Sequence, residues 1–318
     1  MRLFQNISRS VVTKSCGARL GNICADAKHL VRVLLAGLVL TLFWCGAGIF
    51  FVLLLGLRVV VPRQYRLALL QRSIGRALRL LFYFLRFFRI IDGQLVFEGG
   101  VAPQGGAVLA ANHPTLLDAF LVLAHIPHAA CVVKSRLRRY PILRLLIDEL
   151  GYVAHADSIS IIDDCVKVVR QPGRPILFFP EGSRSPPGAL GPLSRGAATV
   201  ALRAGVPLIP LQLTCAPLFL AKGQRWHEIP GGCVDLKVRV CYPISAVTSV
   251  EACEKLVNLA PADGSAPLPG YGSPGSPGST EVGRSSAGGG SSERELNERS
   301  LAQQATALLE EKFHEVIA

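Results

Sequence analysis

Residues 110–120 read AANHPTLLDAF, a short apolar run closed by a histidine, with an aspartate five positions later. A carboxylate that accepts one ring N–H of an imidazole fixes its tautomer and favours the imidazolium formed when the other nitrogen removes a proton. His113 and Asp118 therefore have the chemistry of a general base and its orienting partner. Spacing alone says little, because within one regular helix the two residues would diverge by about 140°. Pro114 disfavours helical torsions at the residue before it and suits the first helical position. This predicts His113 at a helix N-cap just beyond a strand, with Asp118 in the second turn and the ring folded back toward it. A capping turn whose histidine merely satisfies backbone donors accounts for the local sequence equally well.

A second segment decides between these readings. FFPEGSRS, residues 178–185, follows an apolar run and gathers a carboxylate, a glycine turn, two hydroxyls and an arginine. Arg184 offers a fork of donors to an anionic group, and Gly182 lets backbone approach it closely. Other polar residues carry less. His125 and His128 flank Ile126 and Pro127 with no further ligands nearby, which favours packing or exposure over a metal site. Asp163 and Asp164 read as a solvated helix start. The nine cysteines are scattered, without the two-residue gaps of zinc or redox motifs, and are expected to be mostly reduced.

These residues need elements to hold them. Between residues 106 and 214, apolar runs at 107–111, 131–133, 151–154, 176–179 and 208–213 alternate with helical patterns at 114–124, 141–150, 160–171 and 195–204. Continuous rather than alternating apolar strands predict an α/β domain with a mostly parallel sheet buried on both faces. A further strand is expected over 234–241.

The chain carries a net charge of +12, unevenly placed: residues 1–100 hold fourteen Lys or Arg against three acids, while the rest is nearly balanced. Interleaving with long apolar runs points this charge toward an anionic membrane rather than nucleic acid. After a basic segment, 1–32, residues 33–57 contain no charge, giving a helix of about 38 Å against a hydrocarbon core of about 30 Å. A membrane-spanning helix over 33–61 is expected, although Gly46, Ala47 and Gly48 also permit a re-entrant bend. Over 62–94, Arg72, Arg76, Arg79 and Arg86 oppose Leu70, Ile74, Leu78, Leu81, Leu85 and Phe88 on a helical wheel. This predicts a helix in the headgroup plane with its apolar face in acyl chains; a core helix with a solvated basic face is the alternative. A catalytic domain over 95–260 would be followed by a Gly/Ser/Pro-rich linker, 261–292, too poor in apolar residues to order itself. Residues 293–318 then form an amphipathic helix, with Ser292 and Glu295 as a capping box, expected to dock back onto the domain.

ANHPTLLD, FPEGSRS and VPLIPLQL occur in the order and approximate spacing of the glycerolipid acyltransferase family, which the chain resembles over roughly residues 95–245. The resemblance implies the acyltransferase fold and acyl transfer from acyl-CoA or acyl-carrier protein to a lysophospholipid hydroxyl, converting 1-acylglycerol-3-phosphate to phosphatidic acid. In that scheme His113 is the general base and Asp118 orients it. Asn112, Lys134, Glu181, Gly182, Ser183, Arg184, Pro207 and Pro210 match substrate-binding motif positions. Neither metal nor other cofactor is implied, and the expected location is the cell inner membrane with the catalytic domain on the cytoplasmic face. One departure is informative. After Gly151 the glycerophosphate enzymes commonly continue to an arginine; here the run is Tyr152, Val153, Ala154, His155, Ala156, Asp157. This opens one alternative, an acyltransferase for a specialised lipid with an aryl polyene, ornithine-lipid-like or hydroxy-acyl acceptor, while residues 33–89 alone would fit another, a membrane-surface protein that kept the fold without the chemistry.

Overall fold

The computed structural model describes residues 2–98, 105–155, 160–186, 188–244 and 290–317. Most of the expected linker, together with Ala156 and Asp157, lies outside them. Two long helices, α1 (Arg2–Val60) and α2 (Arg63–Phe87), precede strand β1 (Ile91–Phe97). Then follow β2 (Val108–Ala111), α3 (Asp118–His125), β3 (Ala130–Lys134), a 3-10 turn (Ser135–Arg139), α4 (Pro141–Leu150) and β4 (Val153–His155). The chain continues through α5 (Ser160–Val169), β5 (Ile176–Phe178), α6 (Gly196–Ala204), β6 (Leu208–Ala216), β7 (Val234–Val240) and α7 (Gly290–Ile317).

The seven strands form one sheet in the order β1-β7-β6-β2-β5-β3-β4. Five run parallel, from β6 to β4, whereas β7 and its parallel neighbour β1 run the opposite way because β6 and β7 pair antiparallel. The sequence pattern follows from this placement. In the central strand β2, Leu109 and Ala111 enter one core while Val108 and Ala110 enter the other, so an unbroken apolar run is required. In β7, Val234, Leu236, Val238 and Val240 are buried between more exposed Asp235, Lys237 and Arg239, the alternation of a strand covered on one face.

The α1–α2 hairpin and α3 cover one side of the sheet; α5, α6 and α7 cover the other. Helix α7 docks as expected, with Ala302, Ala305, Leu309 and Phe313 buried and Arg203 Nε donating to Glu298 at 2.7 Å. Full burial of a Leu or Phe side chain stabilises by roughly 1.5–3 kcal/mol, so Leu309 and Phe313 contribute most to the docking of this helix.

Three expectations are corrected. First, α3 begins at Asp118, not Pro114, so His113 lies in a loop well before the helix. Local hydrogen bonds hold residues 115–117 in a turn ahead of it: the backbone N–H of Thr115 donates to Asp118 Oδ2 at 2.7 Å and the Thr115 hydroxyl accepts from Leu117 N at 3.2 Å. Second, the apolar face of α2 is buried in the protein, where Leu78, Leu81, Phe82 and Leu85 join the core beside α3 and β1. Third, β1 begins at Ile91, inside the segment expected to precede the domain; Gly93 lets Phe82 approach, since a Cβ there would lie 2.7 Å from its ring.

Helix α1 runs unbroken through Gly46, Ala47 and Gly48. It lies along the domain: Ala36 and Val39 enter the main core, and Leu54 packs with Leu70, Leu145 and Leu150. Arg32 donates to the carbonyls of Gly231 and Gly232 at 2.9 and 2.6 Å, and Arg58 pairs with Glu149 at 3.1 Å. Its Ala27–Val60 portion is apolar and long enough to cross a membrane, and only 11% of its most apolar stretch is buried within the protein.

Candidate active site

The C-terminal ends of β2, β5 and β3 lie side by side, and each leads into one part of the site. Crevices beyond the carboxyl ends of parallel strands are where such sheets bind ligands. His113 follows β2, the 179–184 loop follows β5, and Lys134 closes β3.

His113 Nδ1 lies 2.8 Å from Asp118 Oδ2. Asp118 is fully buried, and its other oxygen accepts a 2.5 Å hydrogen bond from the Thr115 hydroxyl. Burial pushes the Asp118 carboxyl above its ordinary value, and the His113 ring and the Thr115 donors oppose that rise. The imidazole stacks on Phe179, ring centroids 4.2 Å apart, which limits its rotation. With Nδ1 engaged, Nε2 has no hydrogen-bond partner among the described residues, and the side chain remains 20% exposed.

The Phe179–Arg184 loop is fastened to the histidine's backbone rather than hanging beside it. Glu181 Oε1 accepts from His113 N at 3.1 Å and from the Ser185 hydroxyl at 2.6 Å, while Oε2 accepts from Gly191 N at 2.8 Å. Ser185 N donates to His113 O at 2.7 Å. Both carboxylate oxygens of Glu181 are thus engaged inside the protein. Gly182 turns the chain at φ +65, its N–H donating to Phe179 O at 2.9 Å. Ser183 is half-buried. Arg184 donates through Nη1 to the carbonyls of Leu220 and Ala221, both at 2.9 Å, leaving Nη2 and Nε for an anion.

The remaining candidates separate. Lys134 is exposed, without a partner among the described residues, at the same end of the sheet. Asn112 exchanges both amide hydrogen bonds with the backbone of Leu213, at 2.9 and 2.7 Å, tying β2 to β6 instead of facing a substrate. Pro207 and Pro210 are not at the site. Pro207 precedes β6 at the opposite end of the sheet, where its carbonyl accepts from Val108 N, and Pro210 pairs with Ala110 inside it. Pro210 is tolerated there because its carbonyl points toward β7, accepting from Cys241 N, and the β6–β7 ladder begins only at Leu211.

Thr115, Phe179, Ser185 and Gly191 hold the site in place and were not singled out from sequence. The S/T-x-x-D/E spacing of Thr115 and Asp118 was the available signal for the first; the others depend on contacts between distant loops. Among the described residues no cluster of three or more His, Cys, Asp or Glu could hold a metal, and Cys45, Cys131, Cys165, Cys215, Cys233 and Cys241 are free thiols.

A mixed sheet between helical layers, with a His–Asp pair at its carboxyl edge facing an arginine loop, defines an acyltransferase-type α/β fold. A family model described as Acyltransferase matches residues 95–214. The chain is 32% identical over 156 residues to "1-acyl-sn-glycerol-3-phosphate acyltransferase BAT2, chloroplastic" of Brassica napus, covering 48% of this chain and 44% of that protein. It is 26% identical over 138 residues to 1-acyl-sn-glycerol-3-phosphate acyltransferase of Pseudomonas aeruginosa, covering 41% and 51%. The crystal structure of the 1-acyl-sn-glycerophosphate acyltransferase PlsC of Thermotoga maritima superposes with a TM-score of 0.54 at 20% identity, over 74% of this chain and 93% of that one. The chain spans about half the length of the curated relatives it matches. Residues 95–214 thus match an acyltransferase domain, similar to those of the glycerolipid acyltransferases.

Proposed function

We propose that the protein transfers a fatty acyl group from acyl-CoA or acyl-carrier protein to the free hydroxyl of a lysophospholipid, making phosphatidic acid from 1-acylglycerol-3-phosphate. The 2.8 Å contact between His113 and Asp118, with Nε2 left free, is the observation that carries this reading. Nε2 takes the proton from the acceptor hydroxyl as its oxygen attacks the thioester carbonyl. The tetrahedral adduct collapses, the C–S bond breaks, and the leaving thiolate takes the proton back from the imidazolium. Asp118 stabilises that cation. A thioester is already activated, so positioning and one proton transfer supply most of what is needed. Arg184, with two guanidinium positions free, and Lys134 are assigned to the acceptor phosphate.

The membrane location rests on α1. Arg32 and Arg58 anchor both ends of its apolar window to the same domain, about 39 Å apart by helical rise. A perpendicular crossing would draw the domain into hydrocarbon, so α1 lies along the interface, its outer Leu38, Leu42, Trp44, Ile49 and Val52 in lipid. The domain sits on the cytoplasmic face of the inner membrane.

Purified protein given acyl-CoA or acyl-carrier-protein donor and 1-acylglycerol-3-phosphate should form phosphatidic acid. His113→Ala and Asp118→Asn should each lower kcat about a thousandfold or more while the fold survives. No acylated product, or full turnover in His113→Ala, rejects the reading. The run after Gly151, which lacks the arginine common in the glycerophosphate enzymes, favours a second acceptor class. A panel of ornithine-lipid, hydroxy-acyl and aryl polyene acceptors separates the two by kcat/KM.

A further inference from the structure

The stretch after β3, SRLRRYPILR, takes no part in the proposed chemistry. It starts at the same carboxyl edge of the sheet as His113 and Arg184, forming the 3-10 turn and the first turn of α4. Arg138 pairs with Asp148 at 2.7 Å, and Arg144 approaches the same carboxylate at 3.9 Å. Arg136 and Arg139 are exposed and have no acidic or hydrogen-bond partner among the described residues. Between these cations, Tyr140 and Ile142 project with 61% and 44% of their surface open. Scattered exposed arginines are ordinary on a solvated surface. An aromatic and a branched aliphatic set among them are not required by the core, since neither belongs to any buried cluster.

We propose that residues 136–142 form a second, charge-dependent contact with an anionic lipid surface, separate from the apolar face of α1. Arginines meet phosphate groups, Tyr140 lies at headgroup level and Ile142 reaches the acyl boundary. Charge complementarity favours an anionic partner, and continuity favours a bilayer over an acidic protein. Helix α4 packs through Leu145 and Leu150 onto Leu54 of α1, beside the outward Leu53 and Leu55. A protein seated on the basic turn would leave that neighbouring apolar band uncovered; a lipid surface covers both. The contact rests on the interfacial reading of α1, and it would hold the catalytic edge of the sheet down on the membrane, where an anionic acceptor is found.

The test uses full-length protein and needs no turnover, so it stands even if no acceptor is acylated. Tyr140→Trp is bound to vesicles whose lipids carry brominated acyl chains, and quenching of the unsubstituted protein is subtracted to isolate residue 140. Quenching is expected on vesicles containing phosphatidylglycerol and to be largely absent on pure phosphatidylcholine. Adding Arg136→Gln and Arg139→Gln should lower the docked-to-undocked ratio about 25-fold, about fivefold for each cation near an anionic surface. Three results would overturn the proposal. One is an unquenched residue 140 on phosphatidylglycerol vesicles that flotation shows to carry the protein. Another is quenching indifferent to the arginine substitutions. The third is arginine-dependent binding of acyl-carrier protein without quenching, which would make the occupant a protein.

Discussion

Two buried carboxylates at opposite ends of the strands serve different ends. Glu149, 6% exposed, receives Arg66 Nε at 2.6 Å and Arg58 Nε at 3.1 Å, and joins the α1–α2 hairpin to the end of α4. Its partners are guanidinium groups, which stay charged at any working pH. Asp118, fully buried, instead faces an imidazole and the neutral donors of Thr115. An imidazole is the side chain whose charge changes most readily near neutrality. A carboxylate set between permanent cations makes a clamp, whereas one set against a titratable ring suits the orienting role proposed for Asp118.

Removing the clamp should show the largest effect outside the catalytic pair. Glu149→Ala leaves Arg66, itself only 8% exposed, without its counter-ion and should cost about 3–5 kcal/mol in chemical denaturation. Activity per folded molecule should stay unchanged. A loss below about 1 kcal/mol would mean that the pair does not hold the hairpin, placing it with ordinary surface pairs.

A smaller effect is expected at the loop that fastens His113. A Cβ at Gly191 would lie 2.9 Å from Glu181 Oε2, so Gly191→Ala should displace that carboxylate without touching a substrate. It and Glu181→Gln, whose amide faces the Gly191 N–H, should both lower kcat about tenfold, equivalent to about 1.4 kcal/mol, with KM for the acceptor unchanged. A raised KM and unchanged kcat would return Glu181 to the acceptor-binding role that the family resemblance implies.

The finest adjustment concerns protonation. Burial already holds the Asp118 carboxyl above its usual value, and Thr115 partly opposes this. Thr115→Val removes one donor to the ionised form, so Asp118 should bind a proton at a higher pH. Protonated Asp118 no longer holds the Nδ1 proton of His113, and activity is lost as pH falls through that value. The acid limb of kcat/KM should therefore move to higher pH, with the neutral plateau retained and Thr115→Ser restoring the original limb.

The parallel sheet was legible because strands such as VLAA must be apolar on both sides, a local property. The His–Asp pair was legible because residue types and separation suffice to suggest it, although the helix start was misplaced by four residues. The proline's preference points to a helix start at Pro114, whereas the hydrogen bonds of Thr115 hold the chain in a turn until Asp118. The environment of α2 was not legible, since a protein interior and acyl chains are equally apolar to Leu78 or Leu85. β1 escaped notice because it is defined by pairing with β7, some 140 residues downstream. Motif order also misassigned Pro207: chain position along β6 does not say which end of the strand faces the substrate.

Helix α7 comes after residues 245–289, yet it contributes Phe313, fully enclosed against the side of the sheet away from α1. During synthesis, the ribosome must therefore deliver this late segment before that side of the protein is sealed. Until then a nascent chain that already has every catalytic group presents a greasy, unfinished flank, the kind of surface that chaperones grip and proteases find.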